Sequence, residues 1–172
     1  MSKQPAPAGD GVLMVRVEIP KGSRNKYEYD PETGNFVFDR MLFSSVHYPS
    51  DYGFIPETLA EDGDPLDALV LVGEPTFPGC IIPAKPVAML EMSDEKGRDQ
   101  KVLCVPVHDP QWNWVTTIDD IPKNLRREIT HFFEVYKNLE GKVTVVGDWT
   151  NREEAWRTIH ESIARYAAAN GS

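Results

Sequence analysis

Three aspartates fall within six positions of the chain, Asp62, Asp64 and Asp67 of EDGDPLDALV (61–70), directly ahead of an apolar run. Carboxylates this close repel one another, and the repulsion raises the pKa of at least one unless a cation offsets it. Two kinds of structure meet the pattern. One is a solvated turn, with Gly63 and Pro65 as punctuation and aspartates bonding nearby backbone N–H groups. The other is a site for a divalent cation that takes hard oxygen ligands. A helix–loop–helix calcium loop fits poorly. Counted from Asp62, its sixth and twelfth positions require glycine and glutamate but hold Asp67 and Gly73. The ten residues alone leave the turn and the metal site both open.

Other residues able to do chemistry stand where strands end or turn. SDEKGRDQK carries Asp94, Glu95 and Asp99 and ends at Lys101; Glu18 closes a first strand, and Glu28 lies between Tyr27 and Tyr29. An isolated hairpin acid is ordinarily a solvated charge. Glu28 departs from that default because its strand is rich in aromatics. Lys26 and Glu28 are two apart on a strand, so they share a face. Arg40 closes FVFDR, Tyr48 and Tyr52 bracket PSD, and Tyr136 and Lys137 are adjacent on a helix. Taken singly, each has a structural role as ready as a functional one: Tyr136 in a core, Lys137 in solvent.

The elements that must position these groups change character along the chain. VLMVRVEI (12–19) alternates as a half-buried strand does. NKYEY and FVFDRML flank DPETGN, a hairpin loop by composition. ALVLVG (68–73) suits a strand buried on both faces, and PVAMLEM and QKVLCVPV flank SDEKGRD as a second hairpin. Frequent prolines argue against long helices in this region. In IDDIPKNLRREITHFFEVYKNLEG, Asp119 or Asp120 is placed to cap a helix and Pro122 to enter its first turn. Leu125, Ile129, Phe132, Phe133 and Tyr136 recur at helical spacing, and Gly141 supplies a stop. KVTVVGDW makes one more strand. Thr150 and Glu153 read as a capping box that opens a final helix with Trp156, Ile159, Ile163 and Tyr166 on its apolar face. These elements predict an α+β, mainly β fold: a small closed or partly closed antiparallel barrel with two main helices packed outside it.

The chain of 172 residues is of single-domain size, expected as a flexible polar tail over 1–10 and one domain over 11–172. Its formal net charge of −9 argues against nucleic acid as the main partner. No apolar run approaches a membrane span, and MSKQPAPAGD lacks the apolar core of a signal peptide. Cys80 and Cys104 sit in apolar stretches and read as buried free thiols of a reducing cytosol, so the expected location is cytoplasmic.

VEIPKGSRNKYEYD, DRML…HYPSDYGFIP, DGDPLDALV, SDEKGRDQK and HFFEVYKNLEGK follow one another in this order. Together they closely resemble the Mg-dependent family I of soluble inorganic pyrophosphatases, bacterial type, from about Val15 to about Val146. The resemblance decides the acidic block in favour of metal. It implies a five-stranded barrel of oligonucleotide-binding (OB) type with helices outside, several Mg²⁺ ions per site with Mn²⁺ or Zn²⁺ as possible substitutes, pyrophosphate as substrate and a homohexamer. By position it implies metal-binding roles for Asp62, Asp67 and Asp99, a further metal at Asp94, and Glu18 and Glu28 completing the metal shell. Asp64 matches the base that helps deprotonate the nucleophilic water. Lys26, Arg40, Tyr52, Lys101, Tyr136 and Lys137 match residues that grip the two phosphoryl groups. HDPQWNWVTT and the tail after Trp149 follow no rule of the family, and His131 is placed either at a subunit interface or partly buried within one subunit.

The implied reaction is hydrolysis of inorganic diphosphate to two orthophosphates by a metal-activated water, in line and without a covalent enzyme intermediate. It accounts for an acidic protein binding an anion: Asp and Glu oxygens hold Mg²⁺, and the metal reverses the local sign. Arg40 and the lysines, Lys137 among them, then neutralise charge developing on the leaving oxygens. Two rivals are a nucleic-acid-binding barrel, which the charge and lack of basic–aromatic stripes oppose, and an inactive metal buffer, which intact Asp64, Arg40 and Lys137 oppose.

Overall fold

The computed structural model describes residues 11–171; the polar tail expected over 1–10 lies outside the described residues. The strands are β1 (Leu13–Ile19), β2 (Asn25–Asp30), β3 (Asn35–Met41), β4 (Asp51–Phe54), β5 (Asp67–Val70), β6 (Ile81–Asp94), β7 (Gly97–Arg98), β8 (Lys101–Pro106) and β9 (Val145–Asn151). The helices are α1 (Lys123–Val135) and α2 (Arg152–Ala169). β1, β4, β5, β8 and β6 pair in that order, and β6 pairs back to β1, so five strands close a ring. Four seams are antiparallel and the β5–β8 seam is parallel. The expected barrel is wholly antiparallel, but a ring of five strands cannot reverse direction at every seam.

β6 is much longer than its apolar core PVAMLEM suggests. Its first residues pair with β1, its middle with β8, and its end with β9 and β7. Pro86 is the register partner of Cys104, and the register slips just after it, between Pro86 and Ala88, an irregularity of the kind at which a sheet tolerates proline. Among the described residues the β2–β3 hairpin pairs only with itself, as an arm beside the barrel.

Period-two alternation sorts the strands between two cores. Leu69 and Leu71 with Leu103 and Val105 meet Ile129, Phe132 and Phe133 of α1, together with Tyr136. Ala68, Val70 and Val72 with Val102 and Cys104 meet Ala155 and Ile159 of α2, against which Trp156 and Ile163 also pack. Asp67 and Lys101 precede Leu69 and Leu103 by two residues, so they lie on the α1 side of the sheet. Their Cα positions are register partners across the parallel seam. Strand parity therefore delivers an acid and a lysine to the end of one core.

The helix boundaries differ from expectation. Ile118–Asp120 forms a separate 3-10 turn, and Pro122 occupies the N-cap position of α1 with ψ 137°. Asp120 reaches backward, accepting from the backbone N–H groups of Thr116 and Thr117. α1 stops at Val135, and Gly141 (φ 73°) ends a short second turn, Asn138–Glu140. Tyr136 and Lys137 therefore sit at the C-terminal exit of α1. α2 is capped by Asn151, whose side chain accepts from Glu154 N–H, while Thr150 lies in β9 and donates to Met89 O. Cys104 is buried as expected, whereas Cys80 is only half-buried.

Candidate active site

Lys101 is the centre of the site. Its side chain is 1% exposed, and Nζ donates to Asp67 Oδ2 at 2.7 Å, to both Asp99 oxygens at 3.0 Å and to Tyr52 Oη at 2.8 Å. Tyr52 thus accepts from lysine and keeps its own O–H to donate elsewhere. Burial holds the phenol of Tyr52 well above its ordinary pKa, and burial likewise raises Tyr136. Both remain protonated donors at physiological pH.

The two carboxylates beside Lys101 respond to it unequally. Asp67 rises from 3.8 to about 7, chiefly through burial; Lys101 opposes the rise and Asp99 adds to it. Burial pushes Asp99 up as well, but the Lys101 charge and the contacts with Asp67 and Lys101 outweigh it and leave Asp99 low. Asp62 is raised by burial and then by the charges of Asp99 and Asp64. Glu18 is raised to about 6 by burial, although its Oε2 accepts from Tyr29 N–H at 2.8 Å.

The acidic loop is also a turn, as its glycine and proline suggest. Asp62 Oδ1 accepts from the backbone N–H of Asp64 at 3.0 Å, and Gly63 takes φ 89°. Asp64 is exposed, and among the described residues its carboxylate has no hydrogen-bond or ion-pair partner. Asp94 Oδ1 accepts from Lys96 N–H at the tip of the β6–β7 hairpin.

The arm brings the remaining cations. Lys26 Nζ is 2.8 Å from Glu28 Oε1 and 3.5 Å from Asp39 Oδ2, so Lys26 and Glu28 do share a face. Glu28 nevertheless remains 58% exposed, closer to the solvated default than its aromatic neighbours suggest. Arg40 contacts Asp39 through Nη1 and lies 2.9 Å from Glu140 Oε1 through Nε. Lys137 has its pKa lowered by burial and then by the charges of Lys26 and Lys101, so the three lysines are electrostatic neighbours. Asp94 and Asp99 act on Lys137 in the opposite sense. Tyr48, expected only as one bracket of PSD, is buried between Phe132 and Tyr52.

Three acids here carry no signal in the sequence. Asp39 bridges Lys26 and Arg40. Glu140 pairs with Arg40, although a glutamate in a turn after a helix reads as a solvated charge. Asp51 is wholly buried and accepts from Lys21 N–H, Thr76 N–H and Thr76 Oγ1, which ties two loops together.

Among the described residues no three Asp, Glu, His or Cys side chains already form a closed metal cage. Asp67 and Asp99 are drawn to the Lys101 ammonium instead. The donor set still fits Mg²⁺, because this ion keeps several waters and takes only one or two carboxylates directly. The raised Asp67 and Asp62 register an unmet demand for positive charge, which a hard cation supplies.

The family model described as inorganic pyrophosphatase matches residues 15–167, which takes in most of α2 and so extends past the Val146 limit expected from the motifs. An inorganic pyrophosphatase of Methanosarcina mazei is 62% identical over 90% of this chain and 92% of its own. One from Synechocystis is 49% identical over 96% and 98% of the two chains. The crystal structure of inorganic pyrophosphatase from Thermus thermophilus superposes with a TM-score of 0.91 at 45% identity, covering 96% of each chain. On matches of this extent, the chain belongs to the inorganic pyrophosphatase family.

Proposed function

We propose that the chain hydrolyses inorganic pyrophosphate to two orthophosphates by direct in-line attack of water, without a covalent enzyme intermediate. The observation that carries this reading is one cluster of opposed charges: Asp67 and Asp99 around Lys101, with Lys26 and Lys137 within electrostatic reach. Asp62, Asp67 and Asp99 would hold tightly bound Mg²⁺, with Asp94, Glu18 and Glu28 completing the shell; Mn²⁺ or Zn²⁺ are possible substitutes. When bound, the metal neutralises phosphoryl oxygens and lowers the pKa of water to near neutrality.

The chain's own residues do the rest. Asp64, exposed and without a partner among the described residues, takes the proton of the attacking water. Tyr52 and Tyr136 donate phenolic hydrogen bonds to phosphoryl oxygens. Lys26, Arg40, Lys101 and Lys137 supply positive charge to both phosphoryl groups, and Arg40 and Lys137 neutralise the departing phosphate. The reading carries with it a cytoplasmic homohexamer, and His131, exposed on α1, is available for such an interface. No described helix is long and apolar enough to cross a membrane. Phosphate release from pyrophosphate with and without Mg²⁺ tests the proposal directly. Mg-dependent release supports it, and none at any Mg²⁺ concentration ends it.

A further inference from the structure

We propose that Glu140 is the positioning residue for Arg40, and that it locks the β2–β3 arm to the exit of α1. The inference rests on the pyrophosphatase reading of Arg40. Glu140 closes the turn that follows Tyr136 and Lys137, and its backbone N–H donates to Lys137 O at 3.1 Å. Its side chain is 11% exposed and places Oε1 2.9 Å from Arg40 Nε. One residue therefore grips a phosphate-binding arginine of the arm and the backbone of a phosphate-binding lysine beyond the helix. Among the described residues this is the one ion pair joining the arm to that turn.

Arg40 is held from two sides, by a hydrogen bond from Nη1 to Asp39 and by the ion pair of Nε with Glu140, while neither Nε nor Nη2 makes a hydrogen bond among the described residues. That leaves Nη2 to present to an anion. Among the described residues Glu140 Oε2, like Arg40 Nε, is buried without a hydrogen-bond partner, so charge and not an aligned hydrogen bond holds the pair. An unpaired buried carboxylate oxygen weakens a fold, so Glu140 is poorly placed as a stabilising residue and well placed to orient a cation. The arm pairs with no barrel strand, so the aim of its guanidinium depends on contacts of this kind.

The test is Glu140→Gln, made in the wild-type protein and in an Arg40→Lys background, with kcat and KM measured on pyrophosphate and Mg²⁺. A residue that acts through Arg40 gives non-additive effects. The expected result is a kcat about tenfold lower with KM changed less than about twofold in the wild type, and less than about a twofold change in kcat in the Arg40→Lys background. An equal loss in both backgrounds, or no loss in either, overturns the proposal. Circular dichroism checks the fold, and Glu140→Asp serves if Glu140→Gln does not fold. In the metal-free protein, NMR follows water exchange of the Arg40 Nε–H, assigned by its disappearance in Arg40→Lys. Exchange should quicken in Glu140→Gln, and unchanged exchange overturns the contact. A wild-type protein inactive on pyrophosphate overturns the reading of Arg40 while the exchange measurement still judges the contact.

Discussion

Lys101 Nζ lies 2.7 Å from Asp67 Oδ2, and the two residues are register partners across the parallel seam of the barrel. The ammonium stands where a cation is wanted, between two carboxylates that retain 23% and 13% exposure. Lys101→Met leaves Asp67 and Asp99 facing each other without it. Breaking a buried pair from one side costs about 3–5 kcal/mol, and partial exposure brings the expected loss down to about 2–3 kcal/mol in the metal-free protein. Added Mg²⁺ should recover part of the loss, since a ligand that binds only the folded state stabilises it. Urea titration with and without Mg²⁺ measures both effects, and an unchanged midpoint in Lys101→Met would contradict the account.

The same carboxylates set a pH dependence. Asp67 (about 7) and Glu18 (about 6) are both raised above their ordinary values of 3.8 and 4.5, so the folded chain binds more protons than the unfolded chain between those limits. Stability contributed by their protonated forms is present at low pH and lost as pH rises through about 6 to 7. Asp99 is lowered and has the opposite sign, but its window lies below 3.8. Protein stripped of divalent ions should therefore lose stability between pH 5 and pH 8, on the order of 1 kcal/mol or more. Thermal melts in EDTA across that range test the sign, and a rise in stability would reverse the charge assignment.

Gly53 makes a third prediction, about packing next to the site. A Cβ there would lie 1.9 Å from the backbone oxygen of Arg16 and 2.9 Å from Val17 Cα. Neither is a flexible side chain, so β1 and β4 must separate. Gly53→Ala should cost about 3 kcal/mol or more, and should lower activity by shifting the adjacent Tyr52. Chemical denaturation reads the first effect, and a wild-type midpoint would show that the barrel relaxes more easily than its register implies.

What was legible in the sequence follows from how local each signal is. The alternation in β1 and the apolar run of β5 are properties of neighbouring residues, and they predict strands that the barrel contains. The acidic block announces its charge in the same way. Direction across the β5–β8 seam is a property of the whole ring, which no segment carries. The early stop of α1 was hidden because Tyr136 continues the apolar spacing although the helix has ended beneath it. Glu140 acquires meaning only when Arg40 is brought to it across a hundred residues of chain, and Asp39 only when the hairpin sets Lys26 beside it.

Asp64 and Asp67 differ in surroundings and should differ in role. Asp67 is half-buried against Lys101, whereas Asp64 is exposed and, among the described residues, unpaired. On the proposed reading Asp67→Asn should weaken Mg²⁺ affinity, because a carboxylate assigned to hold metal is lost. Asp64→Asn should keep affinity near normal while lowering kcat by about 10²-fold, the usual scale of a lost general base. Mg²⁺ titration by calorimetry, set beside steady-state kinetics, separates the two. Indistinguishable binding curves would show that the roles are misassigned.

Substrate choice follows from charge at both ends of the molecule. Pyrophosphate presents a phosphoryl group at each end, and on the proposed reading Lys26, Arg40, Tyr136 and Lys137 meet peripheral oxygens on either side. ATP or p-nitrophenyl phosphate replaces one end with a bulky group, and the contacts there are lost or misdirected. Each charge-assisted hydrogen bond lost costs about 1.5–3 kcal/mol. Two or three together therefore amount to several powers of ten in kcat/KM. With Mg²⁺, pyrophosphate should exceed both alternatives by at least about a thousandfold. Parallel phosphate-release assays on the three substrates decide the matter. Comparable rates would describe a general phosphatase, in which the cations of the arm and of the α1 exit do not read the second phosphoryl group at all.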